Sequence, residues 1–484
     1  MDAPFHNPPS ETPTCPGCAQ RDRRIAELEA RIAEQEARIA KLEALARGSK
    51  RQAAPFSKGL PKANPKPPGR KSGQDYGEHH RRAVPQRIDE VLEAPLPECC
   101  PRCGQAVHLT GVAQQYQAEI PRRVIHRQFN VAFGRCCGCR RRVQGRHPLQ
   151  TSDALGAAAS QIGPDAQSLA VLLNKDAGLS HGKIKRFFEA AFDLKLCRSS
   201  PCRVMLRTAK RCEGVYHAIV RRVQQSDAIV PDETGWRIGG LLAWLHVAVG
   251  PDATAYLVHR ERGYPAAVKL IGEDYAGILI HDGWAPYLRF AKAIHQTCLA
   301  HLLRRARELE QAATGAALRF PRKIKAILKH SLAVRDQRDA AQSTSASSVE
   351  ASSSKSGALT PEQAAEAGWT LSRQIETLTS RPRADAEQER FAKHLWKHQT
   401  CLFTFLAFEG VDATNHRAEQ ALRPAVVNRK VWGGNRTDAG ATAQSILMSV
   451  LRTAGQRGVD ALDFLSGTLR ARWGKGPDLL LDTG

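Results

Sequence analysis

The sequence predicts a multidomain α/β protein organised around a sheet-centred core, and three stretches carry that prediction. In Ala228-Ile229-Val230-Pro231-Asp232-Glu233-Thr234-Gly235-Trp236 an apolar run stops at an acid and a glycine turn follows. The pattern returns in Gly277-Ile278-Leu279-Ile280-His281-Asp282-Gly283-Trp284. Short apolar runs bounded by turn residues read as buried strands. Much later, Thr414-Asn415-His416-Arg417-Ala418-Glu419-Gln420-Ala421-Leu422-Arg423 reads as a helix start with a third acid among cations. Asp232, Asp282 and Glu419 can meet only through a fold. Two strand ends and one helix make a candidate carboxylate cluster for divalent cations. Mg²⁺ takes one or two carboxylates per ion plus water and phosphate oxygens. Two such ions clamp the attacking and leaving oxygens of an in-line phosphoryl displacement. Either aspartate alone reads equally well as a turn residue; the surroundings of the third acid decide. Arg417, Arg423, Arg429, Lys430 and Arg436 crowd one segment with Asn415, Asn428 and Asn435, a one-signed set suited to holding a polyanion.

These blocks are also familiar in combination. Asp232 through Trp236, Asp282-Gly283-Trp284 and Cys298-Leu299-Ala300-His301-Leu302-Leu303-Arg304-Arg305 are followed by Asn415 through Glu419, Ala421-Leu422-Arg423-Pro424 and Asn428-Arg429-Lys430. In this order they resemble the IS66 family of bacterial insertion-sequence transposases, and the resemblance covers nearly the whole chain. It implies a DDE catalytic core on an RNase H-like fold, with Asp232, Asp282 and Glu419 as the triad. It also implies a preceding zinc-binding domain and a helical insertion between the second aspartate and the glutamate.

At 484 residues with a formal net charge of +23 and a pI near 9.8, the chain is expected to hold several domains and to bind nucleic acid. No apolar run reaches the length of a membrane span. The N-terminus is acidic and proline-rich, so no secretory signal is expected. Several of the thirteen cysteines fall in C-x-x-C pairs, which points to metal rather than disulfides. A bacterial cytoplasmic, nucleoid-associated location follows from these expectations.

In chain order, residues 1–20 form a tail with Cys15 and Cys18, a weak zinc signal on its own. Residues 21–47 place Ile25, Leu28, Ile32, Gln35, Ile39, Leu42 and Ala46 at spacings of three and four, the register of a leucine-zipper-like coiled-coil helix and a dimer. Residues 48–95 form a basic, Pro/Gly-rich linker that cannot pack a core. In 96–150, Cys100-x-x-Cys103 pairs with Cys136-x-x-Cys139 as a Cys₄ zinc ribbon with structural Zn²⁺, and alternating residues at 112–133 suggest strands. Residues 151–224 read as a helix-turn-helix-like DNA-binding module. Two helices fill 164–192 around a Gly178 break, with Ser180 as N-cap. A longer helix runs from Ser199 or Ser200 with Pro201 to about 224.

Residues 225–457 form the core. Strands are expected at Ala228–Val230, Trp236–Ile238, Leu241–Val249, Ala255–Val258 and Ile278–Ile280, with a helix near 265–272. That order matches the start of the RNase H-like fold the resemblance implies, with Asp232 on its first strand and Asp282 at the end of its fourth. Glu233 points to the opposite face from Asp232 and is not expected to be a primary ligand. Cys298-x-x-His301 lacks a second metal half-site, so a core thiol with a hydrogen-bonded or DNA-facing histidine is expected. The insertion spans 302–400, with a Ser/Ala-rich loop at 341–360. Asn415 is the candidate N-cap of the helix carrying Glu419. Val426, Val427, Val431 and Trp432 look strand-like, Gly433-Gly434-Asn435-Arg436 is a loop where backbone can approach phosphate, and 439–456 is a final helix before a tail at 458–484.

The expected function is that of a DNA transposase: binding of the element's terminal inverted repeats, hydrolysis at the element's ends, then attack of the freed 3′-hydroxyl on target DNA. Mg²⁺ or Mn²⁺ serves the triad, and Arg417, Arg423, Arg429, Lys430 and Arg436 contact DNA. The expected partners are DNA, a second copy of the chain or a higher multimer, and small accessory transposition proteins; no membrane is involved. Two other readings compete: a zinc-dependent DNA-binding regulator with an inactive core, and an RNase H-like nuclease that cleaves without joining.

Overall fold

The computed structural model describes residues 20, 23–36, 39, 84–118, 120–121, 123–150, 152–155, 161–345, 359–471 and 477–480. They divide into two units, Met1–Glu119 and Ile120–Gly484. In the first, residues 23–36 form helix α1. Its apolar stripe, Ile25, Leu28 and Ile32, is exposed, as is Ile39. Cys15, Cys18, the end of the expected coiled coil and the linker as far as residue 83 lie outside the described residues. The Cys100–Gly104 segment is a tight turn: Cys100 N–H donates to Gln105 O at 2.7 Å and Gly104 N–H to Cys100 O at 2.8 Å.

The second unit opens with a short antiparallel hairpin, β1 (Phe133–Arg135) and β2 (Arg142–Gln144), around the second cysteine pair. Among the described residues of 112–133 the only strand begins at Phe133. The expected strands are absent there, because Val112, Tyr116, Ile120 and Ile125 are exposed and have no core face to pack on. Helices α2 (Pro164–Lys175) and α3 (His181–Phe192) match their expected spans. Gly178 turns between them at φ +74, and the Ser180 side chain accepts from Lys183 N–H. The long helix expected to reach 224 is instead two, α4 (Ser200–Arg211) and α5 (Glu213–Gln224), broken at the fully buried Cys212.

The centre is a five-stranded sheet of β3 (Ala228–Ile238), β4 (Leu241–Val249), β5 (Thr254–His259), β6 (Ile278–His281) and β7 (Ile294–Thr297), in the order β5-β4-β3-β6-β7. β3, β4 and β5 are antiparallel neighbours, whereas β6 and β7 run parallel to β3. Helix α6 (Tyr264–Ile271) makes the crossover between β5 and β6. The two runs expected at 228–230 and 236–238 are one continuous strand. Its pairing with β6 stops at Ile229↔Leu279, just before Pro231, which has no N–H to offer a neighbour. Asp232 therefore sits within a strand, paired to Val247 on the β4 side, rather than at a strand end.

Residues 302–400 are largely helical, as expected, in α7 (Leu299–Ala312), which begins just before them, α8 (Arg319–Ser345), α9 (Pro361–Thr379) and α10 (Ala386–Lys397); the short α11 (Thr404–Ala407) follows. α8 runs into the stretch expected to be a loop, and residues 346–358 lie outside the described ones. Thr360 and Gln363 form a capping box at the start of α9. Helix α12 (His416–Trp432) runs straight through the segment expected to be a strand. Ala418, Ala421, Leu422, Ala425 and Asn428 are buried at helical spacing, and that face outweighs the strand preference of the valines. α13 (Asp438–Gln456) matches its expected span. The tail beyond it contains a further helix, α14 (Ala461–Arg470), with Phe464, Leu465 and Leu469 buried.

Strand alternation sends side chains to two separate cores. Val230, Val247, Ile278 and Ile280 join one with α7, α8, α9, α10 and α12. Ile229, Ala248 and Leu279 join the other with helices α2 to α6, α13 and α14. The helices of 164–224 thus share a core with one face of the sheet.

Candidate active site

β3 and β6 run in parallel with Ala228 opposite Ile278 and Ile229 opposite Leu279. The pairing ends there, and each aspartate follows the last pair by three residues, Asp232 within β3 and Asp282 just past β6. Glu419 comes from the first turn of α12, where the helix N-terminus favours a negative charge. Asp282 and Glu419 both lie within reach of the Asp232 charge. The Asp232 carboxyl is pushed up to about 7, first by burial and then by Glu233, Asp282 and Glu419. Each acid is held by a different local partner. Asp232 Oδ1 accepts from Glu233 N–H at 2.8 Å, and Asp282 Oδ1 accepts from Trp284 N–H at 2.9 Å. Glu419 Oε1 lies 3.6 Å from His301 Nε2. Among the described residues no three His, Cys, Asp or Glu side chains are drawn together tightly enough to enclose a metal ion.

Glu233 is occupied elsewhere. Arg262 donates to its Oε1 from Nε at 3.0 Å and from Nη2 at 2.9 Å, and the Tyr287 hydroxyl donates to Oε2 at 2.7 Å. Arg262 is itself stacked against Trp244 and Trp284, its guanidinium carbon 4.7 and 4.6 Å from the two rings. This arrangement ties the loop after Asp282 to β3 and β4. Beneath the same loop, Gly283 N–H donates to His281 Nδ1 at 3.0 Å, and His281 Nε2 lies 3.1 Å from His295 Nδ1. Burial and the neighbouring His295 and His398 push the His281 imidazole down to about 3, so it stays neutral and Nδ1 accepts. Gly283 has φ +91, and a Cβ there would come within 3.2 Å of His394 on α10.

Cys298 is buried at the start of α7, accepting from Asn415 N–H at 3.4 Å and lying 3.2 Å from His301 Nδ1. The Cys-x-x-His pair therefore bridges α7 to the start of α12. Asn415 takes the expected N-cap position, but its side chain does not cap; Oδ1 is buried without a hydrogen-bond partner. The cations on and just after α12 differ in exposure. Arg417 donates to Gly250 O at 2.8 Å, and Arg429 donates to the Gly235 carbonyl, so these two brace the fold. Arg423, Lys430 and Arg436 are exposed. Arg262, Tyr287 and the link from His301 to Glu419 carried no motif of their own; only the adjacency of Arg262 to two tryptophans in space reveals it.

One thiol of each cysteine pair differs from an ordinary exposed thiol. Cys100 is lowered by the backbone N–H groups of Arg102 and Cys103. Cys136 is lowered by those of Cys139 and Gly138. Amides aimed at sulfur favour the thiolate, the form that binds metal.

A sequence model of the family described as "Transposase IS66 family" matches residues 159–443, which include Asp232, Asp282 and Glu419. No curated protein matches the chain.

Proposed function

The chain belongs to the IS66 family of transposases, and on that premise we propose that it cuts and joins DNA through Asp232, Asp282 and Glu419. The observation that carries this reading is that Asp232 and Asp282 each follow the last β3–β6 pair by three residues, with Asp282 and Glu419 both close enough to raise Asp232. The sheet order and the antiparallel β4 support an RNase H-like core. The residues fit a divalent cation: burial and three acidic neighbours raise Asp232, and a backbone N–H opposes them. Mg²⁺ or Mn²⁺ bound there supplies charge neutralisation at the reacting phosphate.

The protein's own groups do the remaining work. Asp232 and Asp282 present carboxylates where the adjacent strands β3 and β6 cease to pair, and Glu419 closes the set from α12. Arg262 and Tyr287 hold Glu233 out of it, which keeps two carboxylates rather than three on the strands. His301 orients Glu419. Arg423, Lys430 and Arg436 contact backbone phosphates, positioning DNA without reading its sequence. Hydrolysis at an element end and attack by the freed 3′-hydroxyl are both in-line displacements that need positioning and charge neutralisation. Helices α2 to α5 are proposed to bind the terminal repeats. The exposed stripe of α1 is proposed to pair with a second copy, which lets one assembly hold two ends. Each cysteine knuckle supplies a pair of thiolates to structural Zn²⁺. Among the described residues no helix is long and apolar enough to cross a membrane.

The deciding experiment is a strand-transfer assay with purified protein, labelled element ends and Mg²⁺ or Mn²⁺, run beside Glu419→Gln. Joined products that vanish in the variant are expected. Cleavage without joining favours the nuclease, and binding without chemistry favours the regulator.

A further inference from the structure

Beyond Gly235 the sheet narrows to a two-stranded ribbon. β4 pairs with β5 only from Trp244 onward, and the β3–β6 pairing ends at Ile229. Residues 236–243 are therefore held on the sheet side only by each other. Gly239 and Gly240 close the ribbon at φ +60 and +85, the two left-handed positions that a tight hairpin turn demands. One edge is braced: Asn435 N–H donates to Arg237 O at 2.9 Å, Gly239 N–H to Asn435 O at 2.8 Å, and Trp236 Nε1–H to Asn435 Oδ1 at 2.7 Å. Gly434 is required there, since a Cβ would stand 2.6 Å from Arg237 O. The result is a stiff finger, not a loose turn.

Its tip is unusual in composition. Leu241 and Leu242 are 66% and 62% exposed, and as neighbours on a strand they point to opposite faces. Arg237 beside them, whose Nη1 donates to Gly240 O at 2.8 Å and leaves its other guanidinium nitrogens for a phosphate, and Arg436 on the bracing loop are exposed as well. Two leucines at the end of a rigid ribbon, flanked by cations, match what inserts between base steps while arginines hold the adjoining phosphates.

We propose that the β3–β4 tip is a DNA wedge, with Leu241 and Leu242 unstacking a base step and Arg237 and Arg436 on the flanking phosphates. The proposal rests on the DNA-joining function proposed above. Six residues of extended strand separate Asp232 from Ile238, which is roughly 20 Å. At about 3.4 Å per base pair, the distorted step lies up to roughly six base pairs from the phosphate being cut.

The test uses the full chain and a duplex taken from the DNA bordering its coding sequence, with 2-aminopurine placed at successive positions on either side of the cleaved phosphate. Binding is expected to raise fluorescence several-fold at one or two adjacent positions inside that window. Leu241→Ser/Leu242→Ser is expected to lose the signal and to cleave about tenfold more slowly, the scale of a lost unstacking contribution, while Leu241→Met/Leu242→Met keeps both. A mismatch at the responding step is expected to restore cleavage by the serine variant. Cleavage with no responding position overturns the wedge and leaves the transposase reading intact. A serine variant that sediments as a smaller species assigns the tip to contact between copies and also overturns it. A protein that binds no duplex overturns both proposals.

Discussion

His301 Nε2 stands 3.6 Å from Glu419 Oε1, while the other ring nitrogen lies 3.2 Å from the buried Cys298 sulfur. One imidazole thus connects the insertion's first helix to the third acid. Because it acts through Glu419, His301→Gln is expected to lower strand cleavage about tenfold to a hundredfold, the range of a misplaced catalytic group. Duplex binding should be unchanged, and the loss should deepen as the divalent cation is diluted. Equal loss at every metal concentration would remove this positioning role.

Asp232→Asn, Asp282→Asn and Glu419→Gln each take a charged oxygen from the cluster without changing its volume. Each is expected to cut cleavage and joining by about a thousandfold or more, as when a preorganised electrostatic group is lost. Electrophoretic mobility shifts with the same DNA should persist. A variant that still cleaves is not part of the catalytic set.

Gly283 links Asp282 to Trp284 at φ +91, with His394 close behind it. Gly283→Ala strains the backbone and presses on the insertion. Activity is expected to fall at least about tenfold, because a displacement near 1 Å at a reacting site has costs of that order. Circular dichroism should be close to that of the parent protein.

Lys175 is buried between α2 and α13, donating from Nζ to Gln444 Oε1 at 2.5 Å and lying 5.7 Å from the Trp432 ring. Burial pushes it down to about 7, whereas an unfolded lysine titrates near about 10.4. Between those values the unfolded chain binds more protons, so stability rises with pH across that window and is flat just below it. Denaturant titrations at pH 7 and above should show this rise in the parent protein. Lys175→Met should flatten it.

The amide-lowered thiols of Cys100 and Cys136 predict that the purified chain carries zinc. Cys100→Ser or Cys136→Ser should remove most of it in elemental analysis. Zinc content unchanged in both would leave the knuckles without a metal role.

The strand segments leading to the two aspartates were legible in the chain because each is a short apolar run, and burial of such runs is a local signal. Helices α2, α3 and α13 were legible for the same reason, with the turn at Gly178 and the Ser180 cap marking their ends. Valines in α12 suggested a strand, because a β-branched residue expresses its preference only if a sheet is beside it; here a helical row of small residues met the sheet face instead. The five cations near Glu419 looked alike in sequence, yet Arg417 and Arg429 turn inward to backbone carbonyls while Arg436 stays exposed.

The sequence by itself determined which acids, cysteines and cations were available and the type of most elements. Tertiary structure alone decided that β3 and β6, which lead to Asp232 and Asp282, lie side by side, that Glu233 is tied to Arg262 and Tyr287, and that His301 reaches Glu419. These are matters of register and of contact between segments far apart in the chain. Periodicity reports which face of an element is apolar, but it carries no information about which other element will cover that face.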